Sequence, residues 1–329
     1  MNKKLDKILD NKTLGELSED ILNHINKLPY THDFIFPLFQ VKDFNECEIN
    51  SNISIFSISQ SDIDNYNKDD GLLSAYIGNY DPKENDLVVK IKRKGYYSDL
   101  CRNSIEGDDP LFMFKIIVAI YYIRGIFERS NNIYSQVMSH SGSYTYIAHA
   151  SEVQNVEYIT ATHNDKKFLF NLQLGKEALT INPFIKQSKI EIANDLISKL
   201  DDSSRDPEFK NKIKNSCYWL FETIKTPEDH LRTVFLTSTL DSLIGDQHES
   251  DVVAKQRELV VSTSIAKNYE EYKKIRTSIK QLYDERNKII HGKVSIFETY
   301  NSSRIRSDID QALWYVMRFI NKQTIMIDR

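Results

Sequence analysis

The spacing of apolar residues changes near position 200, and that change limits the folds open to this chain more than any single motif does. Before it, apolar and polar residues alternate in short runs. "NISIFSIS" (52–59) switches residue by residue, the period of a half-buried strand. "DLVVKIKRKGYY" (86–97) reads as a second strand, bracketed by the turn-rich "YNKDDGLL" and "NYDPKEND". Residues 142–174 mix the same alternation with turns. Between these stretches, "LFMFKIIVAIYYIRGIF" (111–127) reads as one buried helix. Lys115 and Arg124 interrupt it, leaving a run far too short to cross a bilayer. Beyond 200 the period lengthens to that of a helix.

The break falls in "KLDDSSRDPE" (199–208), which is polar and carries a proline. Four helical patterns follow, at 226–245, about 250–266, 269–291 and 304–321, joined by short polar loops as in a bundle. In the first, Thr226 reads as the N-cap, with Pro227 at the first helical position and Glu228 and Asp229 in the first turn. Leu231, Val234, Phe235, Leu240 and Leu243 supply its expected apolar face. At the other end of the chain, Leu14, Leu17, Ile21, Leu22 and Ile25 recur at helical spacing, so residues 1–28 read as a helical arm that Pro29 ends. With 329 residues, two domains are expected: an α+β domain over 1–200 and an all-α helical bundle over 201–329.

Composition narrows the function. The formal net charge of −4 gives no global attraction to nucleic acid, so an anionic ligand needs a local basic patch. Cys47, Cys101 and Cys217 form no CxxC pair and suit neither a zinc site nor a disulfide framework. With a charged N-terminus unlike a signal peptide, this points to a reducing, cytoplasmic setting without membrane attachment.

The sharpest local feature is "YDERNKIIHGK" (283–293). On a helical wheel, Tyr272, Ile275, Ile279, Leu282, Ile289 and Ile290 fall within about 60° of Arg286. A guanidinium at the centre of an apolar stripe must snorkel past the helix end, find a partner or face a polar cleft. Asn287 and His291 are four residues apart and share a neighbouring face, and Gly292 is placed to stop the helix. The plain alternative is a histidine favoured by the helix dipole and an arginine paired to a neighbouring helix.

The last third of the chain, 206–329, resembles the HEPN superfamily, most closely its Apea-like HEPN group. The resemblance runs from "HLRTVFLTSTLDSLIG" with Asp241, through "QRE" with Arg257, to the closing "LYDxRNxIxHG" pattern. Glutamate is commoner than aspartate in that group at the place of Asp241. The resemblance implies a HEPN-like bundle and a homodimer that brings two motifs together. It also implies a metal-independent ribonuclease in which Arg286, Asn287 and His291 match the Arg-x4–6-His motif and Asp241 and Arg257 support them. A bacterial defence or toxin-like role is the expectation that goes with it. The chemistry suits RNA: an imidazole near its ordinary pKa of about 6.5 takes a proton from a ribose 2′-hydroxyl, and an arginine fork stabilises the charged phosphorus centre. No cofactor is expected. The alternative is a non-catalytic dimerisation or binding module whose N-terminal domain senses a ligand or protein trigger.

Other features weigh less. Lys90, Lys92, Arg93 and Lys94, with Tyr96 and Tyr97, could track phosphates and stack bases, against the plainer reading of an edge strand guarded by lysines. His140, His149 and His163 share a segment but have no ligand partner at metal spacing, and "SHSGS" (139–143) lacks a nucleophile elbow. There is no Gly-rich phosphate loop and no clustered carboxylate site of the two-metal kind.

Overall fold

The computed structural model describes residues 16, 18, 19, 22, 30–38, 44–61, 84–95, 107–129, 159–163, 166–170, 179–202, 207–226, 228–244, 250–293 and 302–328. Of the N-terminal arm, only 16, 18, 19 and 22 are among them, and they are helical. Tyr96, Tyr97, Cys101, His140 and His149 lie outside the described residues.

An N-terminal mixed β/α region precedes a mostly helical C-terminal region. Strands β1 (Tyr30–Leu38), β2 (Cys47–Asn50), β3 (Ile53–Ser57), β4 (Leu87–Gly95), β6 (Ile159–His163) and β7 (Lys166–Phe170) form one sheet in the order β2-β3-β4-β1-β7-β6. All its pairings are antiparallel except β1 with β7. Helix α1 (Pro110–Ile123) packs on one face of this sheet, with Phe114 stacked on Phe36 at 4.6 Å between ring centroids. It is shorter than the 111–127 helix read from the sequence. Gly125 takes φ +67°, and the Gly125 and Ile126 amides bond back to Tyr122 and Tyr121. This closes the helix with a left-handed cap and turns the chain into strand β5 (Phe127–Arg129), which pairs with β8 (Leu179–Ile181).

Helices α2 (Gln187–Asp201), α3 (Pro207–Lys225), α4 (Asp229–Ile244), α5 (Ser250–Ile265), α6 (Tyr269–Ile290) and α7 (Ser302–Thr324) follow. Pro207 opens α3, as the polar break suggested. Contacts cross position 200 freely: α3 packs on α1, and α2 packs on α1 and β2. Polar ties cross it too. Arg93 meets Asp201 at 2.6 Å, Lys214 meets Asp108 at 2.5 Å, and Lys115 meets Glu222 at 2.6 Å while lying over the Tyr218 ring.

Helix α4 departs from its sequence reading in two ways. It begins at Asp229, so Thr226 is not its cap. The Thr226 amide instead bonds back to Glu222 and its carbonyl accepts from Arg129. Its buried residues are Arg232, Thr233, Leu236, Thr237, Thr239 and Leu240, while Leu231 is exposed. The helix packs against α3, α6 and α7, so more than an apolar stripe must be buried. Threonine suits such a position because its hydroxyl bonds within its own helix. Thr233 donates to the Asp229 carbonyl and Thr239 to that of Phe235, leaving the methyl groups to pack.

Candidate active site at one end of the bundle

Helix α6 carries the motif, and its boundaries follow from its ends. The Asn268 side chain accepts from the Glu271 amide, and Glu270 and Glu271 fill the first turn. At the other end Gly292 takes φ +63°, its amide bonds to Ile289 and the Lys293 amide to Lys288. That is the same left-handed closure as in α1, and it makes His291 the C-cap. Ile275, Ser278, Ile279, Leu282 and Tyr283 are buried. The stripe surfaces beyond Tyr283: Arg286 and Ile289 are half-buried, and Ile290 is exposed despite its place in the stripe.

Arg286 therefore sits where the apolar face emerges from the bundle. Three helix ends meet there, because α4 terminates, α5 begins and α6 terminates. Asp241 comes from the last turn of α4, Arg257 from the first half of α5, and Tyr283 and Arg286 from the last turns of α6. The Tyr283 hydroxyl donates to Asp241 Oδ1 at 2.5 Å. Arg257 Nε lies 2.9 Å from the same oxygen, and its guanidinium carbon stands 5.3 Å from the centre of the Tyr283 ring. The Nε contact is close but misaligned, and this buried nitrogen makes no hydrogen bond. Arg286 Nη1 donates to Asn287 Oδ1 at 3.1 Å. Burial pushes the Tyr283 phenol well above its ordinary pKa, and the Asp241 carboxylate pushes it further. The positive charges of Arg257 and Arg286 pull in the opposite direction. The phenol is thus a neutral donor enclosed by one carboxylate and two guanidiniums.

Asp241, Arg257, Arg286 and Asn287 are brought together around Tyr283. His291 is exposed, one turn beyond Asn287, and its backbone amide bonds to Asn287 and Ile289. On a regular helix His291 is about 140° around the axis from Arg286 and about 40° from Asn287. The imidazole therefore leaves the helix nearer to Asn287 than to Arg286. Tyr283 is the residue the sequence reading overlooked. It stands inside the motif stretch, three residues before Arg286, and that i, i+3 spacing was its signal.

The basic strand is not assembled as expected. β4 lies between β3 and β1, so it is an interior strand, not a lysine-guarded edge. Strand alternation separates its cations. Lys90, Lys92 and Lys94 share one face, with Lys90 lying 5.0 Å over the Phe56 ring. Arg93 points to the other face and is buried. Its Nε, Nη1 and Nη2 donate to Asp108 O, Lys92 O and Asp201 Oδ1. Arg93 is removed from any RNA-binding patch, and three lysines remain.

His163 ends β6. Among the described residues, no three His, Cys, Asp or Glu side chains are grouped to hold a metal ion. Cys217 is enclosed, and burial pushes its thiol up to about 12. No described helix is long and apolar enough to cross a membrane. Comparison of the chain with protein-family models, with curated proteins and with solved structures finds no match.

Proposed function

We propose that the chain is a metal-independent endoribonuclease that works as a homodimer in a defence or toxin-like role. One observation carries this reading. Asp241, Arg257, Arg286 and Asn287, marked in the sequence on three separate helical segments, converge around one buried tyrosine, and the exposed His291 caps the same helix. In the reaction, the His291 imidazole takes the proton of a ribose 2′-hydroxyl, whose oxygen attacks the adjacent phosphorus. Arg286 donates to the non-bridging oxygens as their charge grows. The bond from phosphorus to the 5′-oxygen breaks, that oxygen receives a proton, and a 2′,3′-cyclic phosphate remains. The angular separation of His291 from Arg286 favours a site completed by a second copy, which also offers a second imidazole for the leaving oxygen. The same separation is what a non-catalytic bundle would tolerate, so the binding-module reading stands second.

The test compares the chain with its His291→Ala variant, in cells for growth and RNA integrity and in solution on a defined RNA. Cleavage should survive EDTA, spare DNA of the same sequence and leave a cyclic phosphate. His291→Ala should cost roughly a hundredfold or more in rate with its denaturation midpoint unmoved. A folded His291→Ala chain that still cleaves RNA would leave the binding-module reading in its place.

A further inference from the structure

We infer that Arg257 and Arg286 together form a seat for one phosphodiester of single-stranded RNA, with Tyr283 and Asp241 as its positioning residues. This deepens the ribonuclease reading of the same site and rests on it for the identity of the polymer. The argument begins with charge. One carboxylate, Asp241, faces two guanidiniums around the Tyr283 hydroxyl, and the phenol stays neutral because burial holds its proton. The cluster carries one net positive charge. A phosphodiester carries one negative charge, so its arrival neutralises the cluster. A phosphomonoester with close to two negative charges would not match it as well.

Hydrogen-bond capacity gives the second step. Two guanidiniums offer ten N–H donors between them, about five each. Arg257 makes no hydrogen bond to any described residue, because its contact with Asp241 is misaligned. Arg286 spends one donor, on Asn287. Both groups are partly buried, where donors left without acceptors cost free energy. A ligand with several acceptor oxygens and one charge relieves that cost, and a phosphodiester is such a ligand.

Position gives the third. Arg257 is fixed from two sides, by Asp241 at Nε and by the ring of Tyr283 beneath its plane. The Tyr283 hydroxyl bonds to the same Oδ1 that Arg257 approaches, so it holds that carboxylate in place. Lysine at 257 would keep the charge but lose the planar fork and the stacking. Arg257 is thus a binding residue, and Tyr283 acts through it.

The test uses the full chain and a fluorescein-labelled 2′-O-methyl oligoribonucleotide, which cannot be cleaved by 2′-hydroxyl attack. Anisotropy gives its Kd across a salt series. Arg257→Gln should weaken binding about tenfold and make the log–log salt slope shallower by about 0.7, one phosphate contact on a single strand. Arg257→Lys should restore the slope but not the affinity. Tyr283→Phe should weaken binding about threefold and keep the slope, since the charges remain while their placement loosens. A folded Arg257→Gln chain with unchanged Kd and slope overturns the seat, and so does a natural chain that does not bind the probe. If Arg257→Gln fails to fold, Arg257→Lys decides: affinity equal to that of the natural chain overturns the proposal. The two readings fail separately. Slope loss at Arg257 in a chain that never cleaves RNA keeps the seat and removes the ribonuclease. Cleavage with probe binding indifferent to Arg257 does the reverse.

Discussion

At the junction of sheet and helices, the Arg93 and Asp201 side chains are 4% and 7% exposed and 2.6 Å apart. At the end of the bundle, those of Arg257 and Asp241 are 17% and 31% exposed and 2.9 Å apart. The lengths are similar and the bonding is not. At the junction all three nitrogens of Arg93 donate, and the second oxygen of Asp201 accepts from Asn50. At the bundle end one carboxylate oxygen serves both a phenol and a guanidinium, and the guanidinium meets it at an angle that makes no hydrogen bond. A buried charge with all its donors spent holds elements together. A less buried charge with donors left over is available to a ligand.

The comparison can be broken by stability measurements. Asp201→Ala should strand the Arg93 charge in a buried setting and cost about 3–5 kcal/mol in urea denaturation. Asp241→Asn keeps an acceptor for Tyr283 and leaves its guanidiniums within reach of water, so it should cost about 1 kcal/mol. Equal losses at the two positions would mean that both pairs serve the same structural purpose.

Tyrosine titration sharpens the comparison at a smaller scale, because each region buries one phenol. Tyr121 donates to Asn194 at 2.5 Å beside the half-buried Cys47, and Tyr283 donates to Asp241. Burial raises both well above the ordinary value, Cys47 adding to it for Tyr121 and Asp241 for Tyr283. A phenol with a raised folded pKa contributes stability that is complete below the unfolded value of about 10. That stability is lost as pH climbs through the folded pKa. The denaturation midpoint should therefore hold steady up to about pH 10 and fall above it. Tyr283→Phe should flatten part of that fall. Absorbance at the phenolate band should show two tyrosines ionising only as the chain unfolds. A midpoint that falls equally steeply above pH 10 in Tyr283→Phe would count against the enclosed phenol at the bundle end.

How much of this was legible in the sequence depends on how local the cause is. The ends of α6 were readable because the capping signal at Gly292 sits within the helix's own last turn. The cores of β3 and β4 were readable from alternation. The interior place of β4 was not, because it depends on β1 and β3 pairing to either side of it, and no local pattern records such partners. Arg93 shows both limits at once. Strand parity separates it from the three lysines, but its partner Asp201 is 108 residues away. In the site, Arg286, Asn287 and His291 stood out through their spacing. Tyr283 did not, because a tyrosine on an apolar face reads as core until the carboxylate beneath its hydroxyl is seen.

Helix α4 offers the smallest effect and the plainest contrast between pattern and packing. Leu231 belongs to the apolar stripe drawn from the sequence, yet it is 39% exposed, while its neighbours Arg232 and Thr233 are buried at about 1% each. Arg232 reaches Asp229 at 3.1 Å and Asp310 at 2.6 Å, so the inward face at this level is an ion-pair network and the leucine is turned away from it. Leu231→Ser removes an apolar side chain from a surface position and should change stability by less than about 0.5 kcal/mol. A loss of about 2 kcal/mol or more, the scale of a truncated core leucine, would show that Leu231 is covered in solution. In that case the stripe drawn from the sequence, and not the ion-pair network, would describe the inward face of α4.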